Sequence, residues 1–178
     1  MEDTKVTILV LIDFSNAFNA VSHDILLSIL SHLMVSSEAL EWFSSYLRGR
    51  QQSVRVDENS SSWRDLDSGV PQGGILSPLL FSIFINFITL CLRCSYHLYA
   101  DDLQLYASAR VEDLSDAIED VNRDLDAIRD WSDRFGVSVN PTKCQAIIIG
   151  SSRMMGRVVV NSLPPIVFKT VLIVFVII

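Results

Sequence analysis

Two adjacent carboxylates, Asp101 and Asp102, stand between two short runs that have the composition of β-strands. The run before them is Ser-Tyr-His-Leu-Tyr, and the run after them is Leu-Gln-Leu-Tyr. This arrangement predicts a β-hairpin with the acidic pair at its turn. Neighbouring side chains on a regular strand point to opposite faces, whereas at a tight turn both can approach one point. The pair therefore limits the chain to folds that contain such a hairpin.

The acidic pair is a candidate metal site. Two carboxylates held close together repel each other, and one of them tends to take up a proton. A divalent cation removes that conflict, and Mg²⁺ prefers carboxylate and phosphate oxygens, with Mn²⁺ as the alternative ion. A solvated Asp-Asp turn is the simpler interpretation, and the pair alone does not exclude it.

The composition indicates one globular domain. The chain has 178 residues, of which 49% are hydrophobic and 20% charged, so it is long and apolar enough to form a core. Its net charge of −7 is not that of a basic nucleic-acid-binding surface. The three cysteines, Cys91, Cys94 and Cys144, are few and odd in number, which predicts reduced thiols in an intracellular protein. Cys91 and Cys94 form a lone C-x-x-C pair, which favours core thiols on a helix over a zinc site. The apolar runs at 79–92 and 171–178 are too short to span a membrane.

Apolar periodicity predicts alternating strands and helices. Residues 4–12 predict a strand that is buried on both faces and ends at Asp13. Ser22 and Ser37 are expected as helix N-caps. The other predicted elements are helices at 23–34, 38–48 and 111–135, a helix that opens at Ser77-Pro78, a hairpin within 51–66, and strands at 137–140, 145–149 and 158–160. This order predicts an α+β fold, a small sheet with helices packed on one face.

Pairing of the first strand with the hairpin would bring Asp13 to Asp101 and Asp102 at one end of the sheet. Three carboxylates from two strand ends suit two divalent cations. One ion would activate a 3′-hydroxyl, and the other would hold triphosphate oxygens during phosphoryl transfer. Taken alone, Asp13 would suit a strand-end cap equally well.

Four motifs then resemble, in order, those of reverse transcriptases, most closely the palm domain of non-LTR (LINE-like) retrotransposons. They are Val-Leu-Ile-Asp-Phe-Ser-Asn-Ala-Phe at 10–18, continuing to Val-Ser-His-Asp at 21–24; Ser-Gly-Val-Pro-Gln-Gly-Gly-Ile-Leu-Ser-Pro-Leu-Leu-Phe at 68–81; Tyr-Ala-Asp-Asp at 99–102; and residues 136–144, which end in Asn-Pro-Thr-Lys-Cys. The resemblance covers about residues 4–168. It implies a polymerase palm with a mostly antiparallel sheet, and RNA-directed addition of deoxynucleotides to a primer 3′-end.

The resemblance implies a role for each residue of a two-metal site. Asp13, Asp101 and Asp102 would bind two Mg²⁺ ions, and the carbonyl of Phe14 would be a further metal contact. Lys143 would approach the departing pyrophosphate as a general acid. Without the resemblance, Lys143 would be taken as an ordinary surface lysine.

The resemblance also implies contacts to the incoming nucleotide. Phe18 would stack beneath the sugar and reject a 2′-hydroxyl, although a core phenylalanine is the simpler interpretation. Gln72 would lie beside the nucleotide, and Gly73 would let the backbone approach the template and primer closely. An ordinary Pro-Gln-Gly turn is the alternative for both.

The chain departs from the family pattern at two positions and at both ends. Position 16 is Asn where the family often has Lys, and position 19 is Asn where it usually has Asp. The resemblance implies fingers upstream and a thumb downstream that bring the basic grip. We therefore expect residues 1–168 to form the palm alone and residues 169–178 an aberrant apolar tail. Such a palm would bind an RNA or DNA template, a primer and deoxynucleotide triphosphates weakly, and the resemblance implies a nuclear location.

Two further interpretations remain open. An inactive retrotransposon relic would keep the folded palm and lose polymerase activity. A small α+β RNA-binding module would use Tyr99 and Tyr106 on its strands, and the acidic residues between them argue against it. A local basic cluster of Arg48, Arg50 and Arg55 would suit a nucleic-acid backbone, while Arg48 alone would suit a helix C-terminus.

Overall fold

The chain forms two compact units in the computed structural model, which describes residues 5–173 and 175–177. The sheet unit comprises Met1–Ser15, Asn86–Arg134 and Ser138–Ile178. The helical unit comprises Asn16–Ile85 and Phe135–Val137.

Strands and helices alternate irregularly along the chain, which confirms the α+β class. In chain order the strands are β1 (Val6–Ile12), β2 (Phe14–Ser15), β3 (Gln51–Gln52), β4 (Arg55–Val56), β5 (Asn59–Ser60), β6 (Arg64–Asp65), β7 (Ser95–Tyr99), β8 (Asp102–Ala109), β9 (Ser138–Val139), β10 (Gln145–Ile149), β11 (Ile166–Phe168), β12 (Val171–Ile173) and β13 (Phe175–Ile177). The α-helices are α1 (His23–His32), α2 (Ser37–Leu47), α3 (Ser77–Asn86), α4 (Leu114–Phe135) and α5 (Ser152–Met155).

A five-stranded sheet in the order β13-β10-β1-β8-β7 forms the centre of the sheet unit. Strand β1 pairs antiparallel with both β8 and β10, and β7 pairs antiparallel with β8. Strand β13 runs parallel to β10. The sheet is therefore mostly antiparallel, and its central strand is the one that leads to Asp13.

The two faces of this sheet differ in burial. Along β1 the buried residues are Val6, Ile8, Val10 and Ile12, and the residues between them are half-exposed. The register places further buried residues beside them, namely Leu103, Leu105, Ala146 and Ile148. The prediction that β1 is buried on both faces is wrong, because only this face is fully covered. The other face, which carries Thr7, Leu9 and Leu11, is the open face.

Helix α4 is the predicted amphipathic helix, and it follows a 3₁₀ turn at Val111–Asp113. Its buried apolar stripe consists of Leu114, Ile118, Val121, Leu125 and Ile128. Complete burial of such side chains contributes roughly 1.5–3 kcal/mol each relative to exposure. The helix is therefore held by tertiary burial of one stripe, as its sequence period predicts.

One charged residue lies on the buried side of α4. Asp124 is only 1% exposed, and its carboxylate accepts hydrogen bonds from the backbone N–H groups of Arg93, at 2.9 Å, and Cys94, at 2.8 Å. A buried carboxylate is tolerated only where such donors replace its water. Asp124 thereby fixes the connection that leads directly into β7.

The C-terminal residues join the sheet unit. Strands β11 and β12 form a hairpin, and β13 pairs with β10. The side chain of Asn122 on α4 donates to the Pro165 carbonyl at 2.9 Å and accepts from the Val167 N–H at 3.1 Å. Within the segment expected as an aberrant tail, β12 and β13 thus form, since β-branched side chains favour extended structure and β13 extends the edge of the sheet at β10. The strand predicted at 158–160 is wrong, because a 3₁₀ turn occupies Val160–Ser162.

The helical unit begins with two capped helices. The Ser22 side chain accepts from the Ile25 N–H at the start of α1, as predicted. The cap of α2 is Ser36, which accepts from the Ala39 N–H, so the predicted cap lies one residue too late in the sequence. The four short strands β3 to β6 form the arm, residues 51–65, in which β3 pairs with β6 and β4 pairs with β5. Every residue of these four strands is exposed.

Helix α3 is the apolar helix of this unit, and it begins at Ser77 as predicted. Its buried residues include Leu80, Phe81, Phe84 and Ile85. Within residues 5–173 and 175–177, no helix combines the length and the apolar character that crossing a membrane requires.

Candidate active site

Asp13 stands at the end of the central strand with a charged neighbour on each side. The last register pair between β1 and β8 is Ile12 with Leu103. Asp13 and Asp102 are the next residues beyond this pair, so they lie opposite each other at the same sheet end. Both residues have the alternation of the open face, because Asp13 comes two residues after Leu11 and Asp102 two residues before its partner Gln104. The prediction that the strand of Asp13 pairs with the acidic hairpin is confirmed.

Lys143 lies on the other side of Asp13. Its Nζ is 3.9 Å from the Asp13 Oδ2, and its side chain is 67% exposed. The backbone around it is fixed, since the Asn140 N–H donates to the Asp13 carbonyl at 2.8 Å and the Lys143 N–H to the Asn140 carbonyl at 3.1 Å. The Asn140 Oδ1 also accepts from the N–H and the hydroxyl of Thr142. Without the family resemblance, Lys143 would be taken as an ordinary surface lysine. In the structure, the loop holds it beside Asp13.

The buried Cys144 follows in the same loop. Burial raises the pKa of its thiol, and the nearby Asp13 carboxylate raises it further. Its Sγ lies 3.3 Å from the Asn140 carbonyl oxygen, in hydrogen-bonding geometry. Cys144 therefore remains a thiol near neutral pH and contributes packing beside Asp13.

The acidic pair is divided between a turn and a strand. Tyr99 pairs with Asp102, so the turn consists of Ala100 and Asp101, and Asp102 is the first residue of β8. Ala100 has a φ of 51°, a left-handed conformation that costs a residue with a side chain about 1–2 kcal/mol. The turn places the half-buried Asp101 next to the exposed Asp102.

These acidic residues suit a divalent cation in kind and in position. Carboxylate oxygens are the ligands that Mg²⁺ and Mn²⁺ prefer, and Asp13 and Asp102 adjoin on the open face. In the described part of the chain, however, no three acidic, histidine or cysteine side chains are close enough together to form a metal site. The positive charge beside Asp13 is instead Lys143. The strand pairing and the hairpin turn place the backbones of the three aspartates at one sheet end.

Phe14 continues directly from Asp13 into β2. It pairs with Val139 of β9, and its side chain is 6% exposed. The ring is thus part of the core, while its backbone adjoins the proposed ligand Asp13.

In the helical unit, Phe18, Gln72 and Gly73 line one cavity of about 430 Å³. The ring of Phe18 stacks on that of Phe81, with centroids 4.0 Å apart and an interplanar angle of 16°. Phe81 is fully buried, whereas Phe18 is half-buried. The three predicted nucleotide contacts therefore share a cavity, and Phe81 fixes the plane of the ring expected to face the sugar.

Asn19 anchors the loop that carries Gln72. Its Oδ1 accepts from the Gln72 Nε2 at 3.0 Å, and its carbonyl accepts from the Ser68 hydroxyl at 3.0 Å. Gly69 has a φ of 90°, and a Cβ there would lie 3.0 Å from the Asn19 Cα. His23 also holds this loop, through a 2.8 Å hydrogen bond between its Nε2 and the Gly69 carbonyl. The departure from the family at position 19 thus preserves an oxygen acceptor for Gln72.

Sequence reasoning missed Phe81 and Asp124. Asp124 carried a signal, because it falls between Val121 and Leu125 on the apolar stripe of α4, where a charge needs a partner. Phe81 ends the second motif, but no role was predicted for it, since an aromatic residue in an apolar helix is ordinary core. Tyr99 and Tyr106 do lie on strands and are exposed. Tyr99 stands beside the carboxylates of the hairpin turn, which are unfavourable for a phosphate backbone, and Tyr106 pairs with Ser95 at the far end of the hairpin.

Comparison with known proteins identifies the family to which this chain belongs. Residues 1–162 match the family described as reverse transcriptase (RNA-dependent DNA polymerase). The chain belongs to the reverse transcriptase family. Members of this family generally use divalent metal ions, in keeping with the aspartates at the sheet end.

Relatives of this reverse transcriptase chain occur in mobile elements of flies. It is 33% identical over 142 residues to an RNA-directed DNA polymerase from the mobile element jockey of Drosophila funebris, covering 75% of this chain and 15% of that protein. It is 33% identical over 154 residues to a probable RNA-directed DNA polymerase from transposon BS of Drosophila melanogaster, covering 80% of this chain and 16% of that protein. The resemblance to non-LTR retrotransposons is confirmed, and the chain spans about a sixth of the length of these relatives.

Solved structures with a similar fold include the telomerase of Candida tropicalis in complex with a fragment of telomeric RNA. That match has a TM-score of 0.63 at 13% identity and covers 85% of this chain and 27% of the telomerase chain. The apo telomerase from the same organism, truncated from its C-terminal domain, matches with a TM-score of 0.60 at 16% identity, over 83% of this chain and 32% of the other. At these identities the similarity concerns the fold, and it agrees with the predicted palm.

Proposed function

We propose that this chain is the catalytic palm of an RNA-directed DNA polymerase, which adds deoxynucleotides to a primer 3′-hydroxyl opposite an RNA or DNA template. The observation that carries this proposal is the sheet end where Asp13 and Asp102 adjoin on the open face, beside the Asp101 turn and Lys143. The family match over residues 1–162 supports the assignment of the reaction.

Asp13, Asp101 and Asp102 would hold two Mg²⁺ ions, or Mn²⁺ in their place, with the Phe14 carbonyl as a further contact. Such ions would lower the pKa of the primer hydroxyl and offset the charge of the triphosphate. The open face leaves room for substrate above these carboxylates, while the opposite face of the sheet is buried core. The strand ends thereby give the acidic groups fixed backbone positions, which is what phosphoryl transfer mainly needs.

Lys143 would act on the leaving group. Its ammonium lies beside Asp13 and is largely exposed, so a pyrophosphate that leaves the site could reach it. Proton donation to that pyrophosphate would make it a better leaving group. In the helical unit, Gln72 held by Asn19 would contact the nucleotide, and Phe18 backed by Phe81 would exclude a 2′-hydroxyl.

Primer extension tests the proposal. We expect the chain, with Mg²⁺, an oligo(dT) primer and a poly(rA) template, to incorporate dTTP. Asp101→Asn should lower the rate by at least about 10²-fold, the usual size for loss of one electrostatic group in an active site. Asp113→Asn is the control, since Asp113 is an exposed aspartate on the 3₁₀ turn before α4, and it should change the rate less than about twofold.

A second measurement separates metal binding from turnover. Mn²⁺ titration followed by electron paramagnetic resonance should show binding that Asp101→Asn weakens and Asp113→Asn does not. Equal incorporation by wild type and Asp101→Asn would contradict the assignment. A chain that binds Mn²⁺ through Asp101 yet extends no primer would instead be the inactive relic, an alternative that no observation favours.

A further inference from the structure

One ammonium group is held beside the aspartate that ends the central strand. The Lys143 Nζ lies 3.9 Å from the Asp13 Oδ2. Neither Asp101 nor Asp102 forms an ion pair with a residue that the structure describes. Of the three aspartates at this sheet end, Asp13 is therefore the one whose charge already has a counter-ion.

The backbone of Lys143 is fixed, whereas its side chain is free to move. The Lys143 N–H donates to the Asn140 carbonyl at 3.1 Å, and the Asn140 N–H donates to the Asp13 carbonyl at 2.8 Å. The next residue, Cys144, is buried. The Lys143 side chain is nevertheless 67% exposed, and that of Asp13 is 40% exposed. The lysine is thus tethered beside Asp13, while its flexible four-carbon side chain allows the ammonium group to leave the carboxylate.

The ammonium group and a divalent ion require the same carboxylate oxygens. Mg²⁺ binds carboxylate oxygens directly, and its charge repels an ammonium group at the same carboxylate. An exposed lysine–carboxylate pair is weak, so a divalent ion can replace the lysine at Asp13. The neighbouring Cys144 adds no charge near neutral pH, because burial raises the pKa of its thiol. The exchange at Asp13 is therefore between one ammonium group and one metal ion.

We infer that Lys143 is an exchangeable counter-ion of Asp13, which gives up the carboxylate to a divalent ion and is then free to face the pyrophosphate. The tether keeps the released ammonium group close to the site. This inference rests on the proposed function, which supplies the divalent ion and the pyrophosphate. It predicts that removal of Lys143 tightens metal binding, whereas a lysine that acts only on the leaving group would not affect the metal.

Manganese binding tests the exchange without turnover. Mn²⁺ is titrated into the full chain, and free Mn²⁺ is measured by electron paramagnetic resonance. Lys143→Gln removes the competing charge and should tighten binding about two- to fivefold, the size of one exposed ion pair. Lys143→Arg keeps a positive charge and should not tighten binding. Asp13→Asn should weaken binding.

Lys5→Gln is the matched control for the loss of one positive charge. Lys5 is exposed and precedes β1, at the strand end opposite Asp13. The seven residues of β1 span about 23 Å, well beyond the screening length of about 8 Å at physiological ionic strength. Lys5→Gln should therefore leave the Mn²⁺ affinity unchanged. Similar thermal unfolding of all the variants in EDTA would show that none of these effects comes from a lost fold.

A second measurement observes the ammonium group itself. The chain has three lysines, Lys5, Lys143 and Lys169. Reductive methylation with ¹³C-formaldehyde keeps their positive charges and labels each for nuclear magnetic resonance. In EDTA, Asp13→Asn should shift the Lys143 resonance. In the wild-type chain Mg²⁺ should shift it in the same direction, because both changes separate the ammonium group from the Asp13 carboxylate, and the other two lysines should not respond.

Several outcomes would overturn the inference. These are Mn²⁺ binding by Lys143→Gln that is equal to or weaker than that of wild type, and a Lys143 resonance that Mg²⁺ leaves in place or shifts in the opposite direction. Mn²⁺ binding that does not depend on Asp13 would contradict both the inference and the proposed metal site. Tighter binding by Lys143→Gln in a chain that extends no primer would support the inference and contradict only the proposed polymerase activity.

Discussion

Two hairpins of this chain turn in the same way and are supported very differently. The site hairpin, β7 and β8, reverses through Ala100 and Asp101, and the arm hairpin, β4 and β5, reverses through Asp57 and Glu58. The first turn residue is left-handed in both, with φ of 51° at Ala100 and 53° at Asp57. Strand β8 also pairs with the central β1, whereas β4 and β5 pair only with each other and are exposed throughout.

The two hairpins also differ in burial at the ends where their strands join the rest of the chain. The buried Asp124 fixes the backbone of Cys94 just before β7, whereas at the base of the arm the exposed Gln51 donates to Asp65 at 2.7 Å. A hairpin that carries the proposed metal ligands needs fixed backbone positions, since small displacements reduce turnover. A hairpin with few buried contacts opens at low free energy. The same turn therefore serves a rigid site in one unit and an adaptable surface in the other.

The largest expected difference between the hairpins is in core support. Leu105 of β8 is fully buried, so Leu105→Ala should lower the free energy of unfolding by about 2–5 kcal/mol. Val56 of β4 is 64% exposed, and Val56→Ala should cost less than about 0.5 kcal/mol. Urea denaturation followed by circular dichroism measures both. Similar losses for the two variants would show that the arm is as well supported as the site hairpin.

The next difference concerns the two aspartates at the hairpin bases. Asp124→Asn replaces an acceptor oxygen with an NH₂ group that faces the backbone donors of Arg93 and Cys94, and we expect a loss of about 1–3 kcal/mol. Asp65→Asn at the exposed base of the arm should change stability by less than about 0.5 kcal/mol. The same denaturation experiment decides between a specific role of Asp124 and a general cost of removing an aspartate.

The sequence predicted both hairpins, because turn residues between strand-forming runs are local signals. It also predicted that Asp13 joins the acidic pair, which needs only the pairing of two strands. It did not predict the open face beside β1, since a continuous apolar run does not reveal which side of a strand is covered. Asp124 was missed for a related reason, because its partners Arg93 and Cys94 are distant from it in the sequence.

The C-terminal strands follow local composition. Residues 169–178 were expected as an aberrant tail on the strength of a family comparison, and their β-branched composition favours strands. In the structure β12 and β13 follow that local propensity. Strand propensity therefore explains these two strands, and the expectation that the segment is aberrant stays a prediction.

The base of the site hairpin also predicts the reactivity of a thiol. Burial, and then the charge of Asp124, raise the pKa of Cys94 from 9.0 to about 12. A raised pKa lowers the thiolate fraction at neutral pH, and the thiolate is the form that reacts. At about pH 8, iodoacetamide should therefore alkylate Cys94 at least about tenfold more slowly than a model thiol of ordinary pKa. Mass spectrometry of peptides after timed labelling measures the rate.

The pH dependence and one variant sharpen this prediction. The Cys94 rate should still rise between about pH 9 and pH 10, where an ordinary thiol begins to level off. Asp124→Asn removes the negative charge and should accelerate alkylation at constant pH. Fast alkylation of wild-type Cys94 near neutral pH would mean that the base of the site hairpin opens as readily as the arm.

The smallest expected difference lies in the shared turn itself. Glycine adopts a left-handed φ without strain, so Ala100→Gly relieves about 1–2 kcal/mol in the folded chain. The greater freedom of glycine in the unfolded chain offsets about 0.5–1 kcal/mol of this gain. Aspartate tolerates the left-handed region better than alanine does, so Asp57→Gly has less strain to relieve. We therefore expect Ala100→Gly to stabilise the chain by about 0.5–1 kcal/mol and Asp57→Gly to leave it nearly unchanged, as measured by thermal unfolding. Equal effects would show that the strain belongs to the turn type. A gain at Ala100 alone would show that alanine is strained in the turn of the site hairpin, which β1 and Asp124 hold in place.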